Sequence, residues 1–269
     1  MIRRLAEELA AISRHVPPRV FAAYLKALVV NSSKILKKRS LGPADAFLDG
    51  ADYQVKLDGI SYRMRDVPFG LVRELYCREI YFPSPAWRPQ AGDLVVDLGA
   101  NCGSFSVLCA KRGANVIAIE AQSSFAAAFS RLMENNSVGD HVTLVHGLVA
   151  PDQEVLDSLG LAREKSAISV RGPELLQFAA GRRIRFIKAD VEGCEFNLFD
   201  GDLAWLDQVD QISMEIHPTF GEPAALRDRL RQCGFDCWIT DKTGAEVDRV
   251  KTEVGFCYAS RLPASRRAH

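Results

Sequence analysis

The sequence lacks the features that would place it in several specialised classes. Lysine plus arginine and aspartate plus glutamate number 34 each, so no surplus of positive charge attracts a nucleic acid. No apolar run reaches the ~18 residues that a membrane-spanning helix requires. The seven cysteines are odd in number and irregularly spaced, which does not match a zinc-binding motif. These absences favour a reduced, cytoplasmic protein with no nucleic-acid partner and no transmembrane segment.

What the chain does contain is an ordinary globular composition. Of its 269 residues, 48% are hydrophobic and 25% are charged, enough for one large α/β domain with an appendage or for two small domains. A proline-rich stretch before Asp93 marks a boundary. The sequence therefore predicts an N-terminal cap at residues 1–90, a main domain at residues 91–262 and a short tail at residues 263–269.

The cap carries three local signals. Pro17-Pro18 separates two helical segments, and the second ends in the basic run "KILKKRS". Such a run is typical of a solvated helix face, and contact with phosphate or a membrane is the alternative. Asp58-Gly59 lies between two short alternating runs, which indicates a β-hairpin over residues 51–65. A further helix is predicted over residues 69–80.

The main domain alternates continuous apolar strands with helices. This rhythm is typical of a mostly parallel sheet that is covered by helices on both faces. The last two strands are joined by a short connection, so the final strand should be antiparallel. The seven predicted strands are residues 94–98, 116–119, 142–149, 184–189, 209–216, 235–239 and 255–259.

The stretch "VVDLGANCGS" places a glycine-rich turn directly after the first strand of this sheet. Ligands of open parallel sheets bind at the carboxyl ends of the strands, where Gly99 and Gly103 allow close backbone approach. The spacing Asp97-x-Gly99-x-Asn101-x-Gly103 lacks the G-x-G-x-x-G fingerprint of dinucleotide sites. The turn alone leaves open a dinucleotide site, a methyl-donor site or a tight strand-to-helix corner.

Two acidic residues narrow these alternatives. Asp97 at the strand end would repel a pyrophosphate but suits a ligand that carries an ammonium and a sulfonium. Glu120 ends the second strand, where a carboxylate can accept hydrogen bonds from both hydroxyls of a ribose. A lone aspartate at this place often only caps the turn, but the pair favours S-adenosylmethionine over NAD.

These motifs resemble those of a known enzyme family. "VVDLGANCGSFS" is similar to the first motif of the class I, Rossmann-like S-adenosylmethionine-dependent methyltransferases. "IRFIKADVEGCEFNLFDG", followed by "QISMEIHP", resembles the FkbM family, whose signature is a lysine-x-aspartate-x-glutamate-glycine strand end. The resemblance spans about residues 92–260. It implies a Rossmann-like fold and methyl transfer to hydroxyl groups of sugars, natural products or other small metabolites.

The resemblance also implies positions for the methyl donor. Glu120 should hold the ribose. Apart from the resemblance, the position of Asp190 at the end of a later strand predicts contact with the amino end of the donor or with the acceptor. Gly147 and Leu148 end the third strand and should lie along the adenine. The remaining donor contacts are expected from Asp97, Gly99, Asn101 and Gly103.

Four polar residues mark the expected acceptor side. Asp190 and Glu192 follow one strand, and Glu215 and His217 repeat that spacing at the end of the next. His217 is the candidate general base, because its reference pKa of ~6.5 lies near neutral pH. A structural hydrogen-bonding role is the alternative reading for this histidine. Asp190 and Glu215 are the other candidate catalytic residues.

A divalent metal is a variant of this mechanism. Asp190, Glu192 and Glu215, together with His217, offer oxygen and nitrogen ligands. Nothing in their spacing demands an ion, so a metal-free route is favoured.

Other functions stay open at this point. An NAD-dependent oxidoreductase or epimerase, and a non-catalytic nucleotide-binding module, are the alternatives to a small-molecule O-methyltransferase. Nitrogen or carboxyl groups are further candidate acceptors. A homodimer is compatible with the sequence.

Overall fold

The N-terminal part of the chain begins with short helices. In the computed structural model, which describes residues 2–151, 156–157, 160, 166–252 and 254–262, these are α1 (Ile2–His15), α2 (Pro18–Val30), α3 (Ser32–Lys38) and α4 (Gly42–Asp45). The break predicted at Pro17-Pro18 is confirmed, and a second break at Asn31 separates α2 from α3. Pro18 suits the first position of α2, because an N–H there would lack a partner within the helix. The predicted tail, residues 263–269, lies outside the described residues.

A β-hairpin follows these helices. Its strands β1 (Asp52–Leu57) and β2 (Ile60–Arg65) pair antiparallel. Asp58 and Gly59 have φ of 51° and 77°, the positive pair that a type I′ turn requires, so the predicted turn is confirmed. Next, α5 (Phe69–Val72) continues as a π-helical turn over Arg73–Cys77, and the helix predicted for residues 69–80 ends early. Glu79, with φ of 49°, leads the chain away from the helix.

The rest of the chain forms a sheet of eight described strands. Their order is β6-β5-β4-β3-β7-β8-β10-β9, and β10 alone runs against the common direction. This arrangement confirms the predicted Rossmann-like α/β sheet with its last strand antiparallel. It adds the edge strand β6, whose three residues are too few to show a periodic pattern. The strands are β3 (Leu94–Leu98), β4 (Asn115–Glu120), β5 (Val142–Val149), β6 (Ile168–Val170), β7 (Ile184–Ala189), β8 (Val209–Ile216), β9 (Asp236–Asp241) and β10 (Gly255–Ser260).

Helices cover both faces of this sheet. All five residues of β3 are buried, as expected for a strand that is covered on both sides. Each face carries one hydrophobic core. The core beneath the helices Ser104–Ala110 and Ala126–Asn136 also includes Tyr24, Tyr62 and Tyr76 of the N-terminal part. The predicted cap and main domain therefore share a core. The helices are α6 (Ser104–Ala110), α7 (Ala126–Asn136), α8 (Gly172–Ala179), α9 (Glu195–Leu198) and α10 (Pro223–Gln232).

The strand order fixes the place of a ligand site. It reverses at β3, which has β4 on one side and β7 on the other. In open α/β sheets the ligand lies outside the carboxyl ends of the strands at such a switch point. As for membranes, none of the described helices is both long enough and apolar enough to cross one.

Asn136, at the end of α7, ties the hairpin to the helices of the sheet. Its side chain accepts a hydrogen bond from the N–H of Arg63 (2.8 Å) and donates one to the carbonyl of the same residue (2.9 Å). We predict that Asn136→Ala lowers the free energy of unfolding by about 2 kcal/mol, because two backbone groups of β2 lose their partner. Arg131→Ala, exposed on the same helix, should change it by less than about 0.5 kcal/mol. Equal losses in the two variants, measured by chemical denaturation, would contradict this role.

Candidate active site

A cleft of about 310 Å³ opens where β3, β4, β5 and β7 end. The turn after β3 and the ends of the neighbouring strands line one side, and Leu71, Glu74, Leu75 and Tyr81 of the N-terminal part line the other. The volume falls within the ~300 to ~1,000 Å³ that is usual for ligand pockets. The cleft thus lies at the switch point of the sheet.

The two glycines of the turn make room for neighbouring protein atoms. Gly99 has φ of 72°, and a Cβ there would lie 1.8 Å from the carbonyl oxygen of Asp190. Gly103 has φ of 88°, and its Cβ would lie 2.6 Å from Met133 and 2.8 Å from Phe129. Any side chain at either position would push the turn away from β7 or α7. The glycines are therefore required by the packing of the turn itself.

Glu120 is held in place by the backbone at the end of β4. One carboxylate oxygen accepts a hydrogen bond from the N–H of Asn101 (2.6 Å), and the other accepts one from Gln122 (2.8 Å). Burial raises the pKa of this carboxyl, and the two amide hydrogen bonds act in the opposite direction. The side chain lines the cleft where the sequence predicts a ribose-binding acid. Its orientation suits that role, because each oxygen keeps a lone pair for a further donor.

Asp97 lies elsewhere than the motif suggests. It is fully buried beneath the turn, and the described lining of the cleft does not include it. Ser106 donates a hydrogen bond to one oxygen (2.7 Å), and the Nζ of Lys188 lies 3.3 Å from the other. In this structure Asp97 therefore contacts Lys188 and does not face the cleft. The direct contact between Asp97 and the donor stays a prediction.

Lys188 brings this charge to the edge of the cleft. Its Nζ donates to the carbonyl groups of Leu98 (3.2 Å) and Gly99 (2.7 Å), and its side chain contributes to the cleft lining. Burial acts to lower the pKa of Lys188, but the carboxylates of Asp97 and Asp190 outweigh it and raise the pKa. The ammonium group therefore stays charged and pins the turn to β7.

The residues predicted to bind the donor fall into two groups, those that line the cleft and those that do not. Gly147 and Leu148 line the cleft at the end of β5, and a Cβ on Gly147 would lie 3.0 Å from Val170 and 3.1 Å from Ile119. The strand is therefore packed tightly enough to form a wall. Asp97 and Gly103 lie outside the described lining of the cleft, and those within it are Gly99, Asn101, Glu120, Gly147, Leu148 and Asp190.

The four predicted acceptor-side residues do come together, and we call Asp190, Glu192, Glu215 and His217 the acidic cluster. The Nε2 of His217 lies 3.4 Å from a carboxylate oxygen of Glu192 and 3.8 Å from one of Glu215. Asp190 and Glu192 line the cleft, whereas Glu215 and His217 are not part of its described lining. Asp190 and Glu192 therefore face the cleft, and Glu215 and His217 lie behind its described lining.

The electrostatics of the cluster change the role that His217 can have. Burial acts to lower the pKa of this imidazole, but Glu195, Glu215 and Glu192 outweigh it and raise the pKa to about 9. At pH 7 only about 1% of such a group is free to accept a proton. Burial and the neighbouring charge of Asp190 raise the pKa of Glu215 to about 8. The cluster thus holds protons at neutral pH, with His217 as its cation.

Glu195 is a site residue that the sequence analysis misses. It is fully buried, and its Oε1 accepts a hydrogen bond from the backbone N–H of His217 (2.5 Å) and lies 3.1 Å from the Nδ1 of the same residue. Its Oε2 accepts from the N–H of Gly193 (2.8 Å) at the start of α9. The one available signal is a single acid among the mostly apolar residues of "CEFNLF".

Tyr81 is a second residue without a sequence signal. Its hydroxyl donates to Asp190 (3.1 Å), its ring stands edge-on to Phe105 with centroids 5.6 Å apart, and it is 3% exposed. Neighbouring contacts fix this segment, because Tyr258 donates to the carbonyl of Ile80 (2.7 Å). The N-terminal part therefore supplies a polar group to the cleft.

A cation could be held within the acidic cluster. Among the described residues, Asp190, Glu192 and His217 offer ligand atoms that all lie within 4.8 Å of one another. Glu215, which the sequence predicts as a third carboxylate ligand, is not in this group. A metal ion would have to displace the proton that His217 carries at neutral pH.

Comparison with known proteins assigns the chain to a family. The family model described as "Methyltransferase FkbM domain" matches residues 97–237, which is more than half of the 269 residues. The chain belongs to the FkbM methyltransferase family. This membership implies S-adenosylmethionine as the methyl donor and favours methyl transfer over the NAD-dependent chemistry that the sequence left open. No curated protein matches the sequence significantly.

Solved structures resemble this FkbM methyltransferase only distantly. The precorrin 8W decarboxylase of Methanobacterium thermoautotrophicum is 18% identical, with 65% of this chain and 84% of that chain covered and a TM-score of 0.42. The precorrin-6y C5,15-methyltransferase of Geobacter metallireducens GS-15 is 14% identical, with the same coverage and a TM-score of 0.40. An rRNA methylase of Streptococcus thermophilus is 13% identical, with 66% and 91% covered and a TM-score of 0.39. At these levels the likenesses carry no argument about substrate or mechanism.

The packing of the turn yields a prediction for this FkbM methyltransferase. Gly99→Ala should weaken the binding of S-adenosylhomocysteine at least about tenfold, or about 1.4 kcal/mol, because its Cβ would collide with the carbonyl of Asp190 and displace the turn. Titration calorimetry measures the affinity. Gly139→Ala is the matched control, since a Cβ there meets no atom within 4 Å. Unchanged affinity in the Gly99 variant would show that the turn does not shape the donor site.

Proposed function

We propose that this enzyme methylates a hydroxyl group of a small molecule, such as a sugar or another natural product, with S-adenosylmethionine as donor. The observation that carries the proposal is the placement of Asp190. Its carboxylate lines the cleft next to the turn after β3, and the hydroxyl of Tyr81 donates to it at 3.1 Å. Alkylation of a hydroxyl requires a proton acceptor that is held next to the bound methyl donor.

The donor side of the proposal rests on the residues that line the switch-point end of the cleft. Glu120, oriented by two backbone amides, would accept the ribose hydroxyls. Gly147 and Leu148 would lie along the adenine, and the turn at Gly99 and Asn101 would face the amino-acid part of the donor. When bound, S-adenosylmethionine supplies a methyl group that its sulfonium already activates, so the protein has to align the acceptor and take one proton.

Asp190 is the better candidate for the proton acceptor, and His217 acts behind it. The imidazole is protonated at neutral pH, since its pKa is raised to about 9. As a cation it would stabilise the negative charge of Asp190 and Glu192, which otherwise repel each other. Glu195 would position His217 through its contacts with the backbone N–H and the ring. In this proposal Glu215 shares the protons of the cluster.

The acceptor side supports a small substrate. Its wall comes from Leu71, Glu74, Leu75 and Tyr81, so the N-terminal part of the chain closes the cleft that the sheet opens. The balanced formal charge of the chain offers no general attraction for a nucleic acid. A compact, polar-edged cleft with apolar walls suits a hydroxylated small molecule better than a polymer.

The acidic cluster predicts a specific pH dependence. His217→Gln removes a positive charge that acts to lower the pKa of Glu192 and of Glu215. The acidic cluster should therefore hold its protons up to higher pH, so the acid limb of kcat should move to higher pH, with activity retained at alkaline pH. The wild-type and variant pH–rate profiles measure this shift. His141→Gln, at an exposed position, is the control and should leave the profile unchanged. Loss of turnover at every pH in the His217 variant would instead support His217 as the base.

The grouping of Asp190, Glu192 and His217 also allows a metal-assisted route, which can be tested separately. We predict that turnover survives exhaustive chelation, because the imidazolium of His217 already supplies a positive charge beside Asp190 and Glu192. Activity before and after treatment with EDTA, and again after adding Mg²⁺ or Mn²⁺, provides the measurement. Activity that disappears with EDTA and returns with one of these ions would favour the metal-assisted mechanism.

A further inference from the structure

The outer surface of α2 and α3 is basic, although the whole chain is neutral. From Leu9 to Ala44 the sequence contains seven lysine or arginine residues and no aspartate or glutamate, whereas the formal net charge of the whole chain is zero. Five of these basic residues lie exposed on α2 and α3, and the four lysines among them belong to what we call the α2–α3 patch. The patch consists of Lys26, Lys34, Lys37 and Lys38 with the apolar residues Leu25, Val29, Val30 and Leu36.

The apolar residues of this patch are unusually exposed. Val29, Leu36 and Val30 are 75%, 67% and 62% exposed, and Leu25 is 39% exposed. The helix α3 contains no buried residue at all. A single exposed aliphatic side chain is ordinary on a protein surface, but several together mark an interaction site.

The helical geometry places charge and apolar surface side by side. Lys26, Val29 and Val30 are spaced i, i+3 and i+4, so they share one face of α2. The buried residues Tyr24 and Ala27 lie on another face of the helix and pack inward. The patch continues directly into α3, which follows after Asn31 and carries three of the lysines.

We propose that the α2–α3 patch docks this enzyme on an anionic membrane surface. Lysine side chains can reach lipid phosphates while neighbouring aliphatic side chains enter the boundary between headgroups and acyl chains. Each basic residue near an anionic leaflet adds attraction that weakens with salt.

Other occupants fit the same residues less well. A nucleic acid would use the lysines but leave Val29, Val30 and Leu36 exposed, and the patch has no aromatic side chain on which a base could stack. A second copy of the chain would bring lysines of like charge together in a symmetric contact. Charge complementarity therefore favours an anionic lipid surface.

The inner side of α2 connects this patch to the cleft. The ring of Tyr24 packs on Phe69 with centroids 4.9 Å apart, and its hydroxyl donates to Asp45 (3.0 Å). Phe69 begins α5, and Leu71 and Glu74 just beyond it line the cleft. A membrane bound to the patch would thus contact a helix that packs directly on the segment lining the acceptor side of the cleft.

Vesicle flotation of the full chain tests this proposal. The wild type should float with vesicles of phosphatidylcholine and phosphatidylglycerol, should not float with phosphatidylcholine alone, and should be released by added salt. The charge-reversal variant Lys34→Glu/Lys37→Glu/Lys38→Glu should bind at least about tenfold more weakly. Val29→Ser/Leu36→Ser should also weaken binding, because the apolar contact is lost. The control Arg131→Glu/Arg249→Glu/Lys251→Glu makes the same change in formal charge at exposed positions elsewhere and should keep the wild-type affinity.

Several results would overturn the proposal. One is a wild type that fails to float with the anionic vesicles, and another is a control variant that loses binding as much as the patch variant does. RNA binding, or self-association in sedimentation velocity, that depends on the three lysines in the absence of vesicle binding would assign the patch to those partners. Melting temperatures of the variants verify their folding, and the salt titration of the wild type needs no variant.

Discussion

The buried ammonium group of Lys188 is the interaction on which the rest of the site depends. It lies 3.3 Å from a carboxylate oxygen of Asp97 and donates to the carbonyl groups of Leu98 and Gly99. An isolated charge in this place would be strongly unfavourable, so the surrounding oxygens are what stabilise it. In return the lysine fixes the turn after β3 to the neighbouring strand β7. The close contact between this turn and β7 forms one side of the cleft, and it leaves Gly99 no space for a side chain.

The contact between the turn and β7 also positions residues on the acceptor side of the cleft. Asp190 follows Lys188 by two residues, so the strand that braces the donor side also delivers the carboxylate of the acceptor side. Tyr81 reaches the same carboxylate from the N-terminal part, and its ring packs edge-on against Phe105 at the start of α6. The N-terminal helices, the sheet and the acidic cluster are therefore one packed unit, in which a shift of the turn would move donor and acceptor residues together.

The sequence predicts those parts of this unit that depend on local pattern. Strands covered on both faces are continuous apolar runs, and parallel strands end at one edge, so the sheet and the meeting of the four acidic-cluster residues follow from pattern alone. The pairing of Asp97 with Lys188 does not follow from local pattern, because Lys188 lies far along the chain. An acid at a strand end has the same local sequence whether it contacts a ligand or pairs within the protein. Glu195 lies in a helix too short to show a period. Tyr81 is placed by packing, and the protonation of His217 results from carboxylates on two stretches of the chain, Glu192 and Glu195 on one and Glu215 on the other.

The central claim is that the turn braced by Lys188 forms a site for S-adenosylmethionine, and calorimetric titration tests it most directly. Wild-type protein should bind S-adenosylhomocysteine and give no heat with NAD. The variant Asp97→Asn/Lys188→Met removes the buried pair without leaving an isolated charge, and it should bind S-adenosylhomocysteine at least about tenfold more weakly while remaining folded. Binding of NAD without S-adenosylhomocysteine, or a folded double variant with wild-type affinity, would contradict the account.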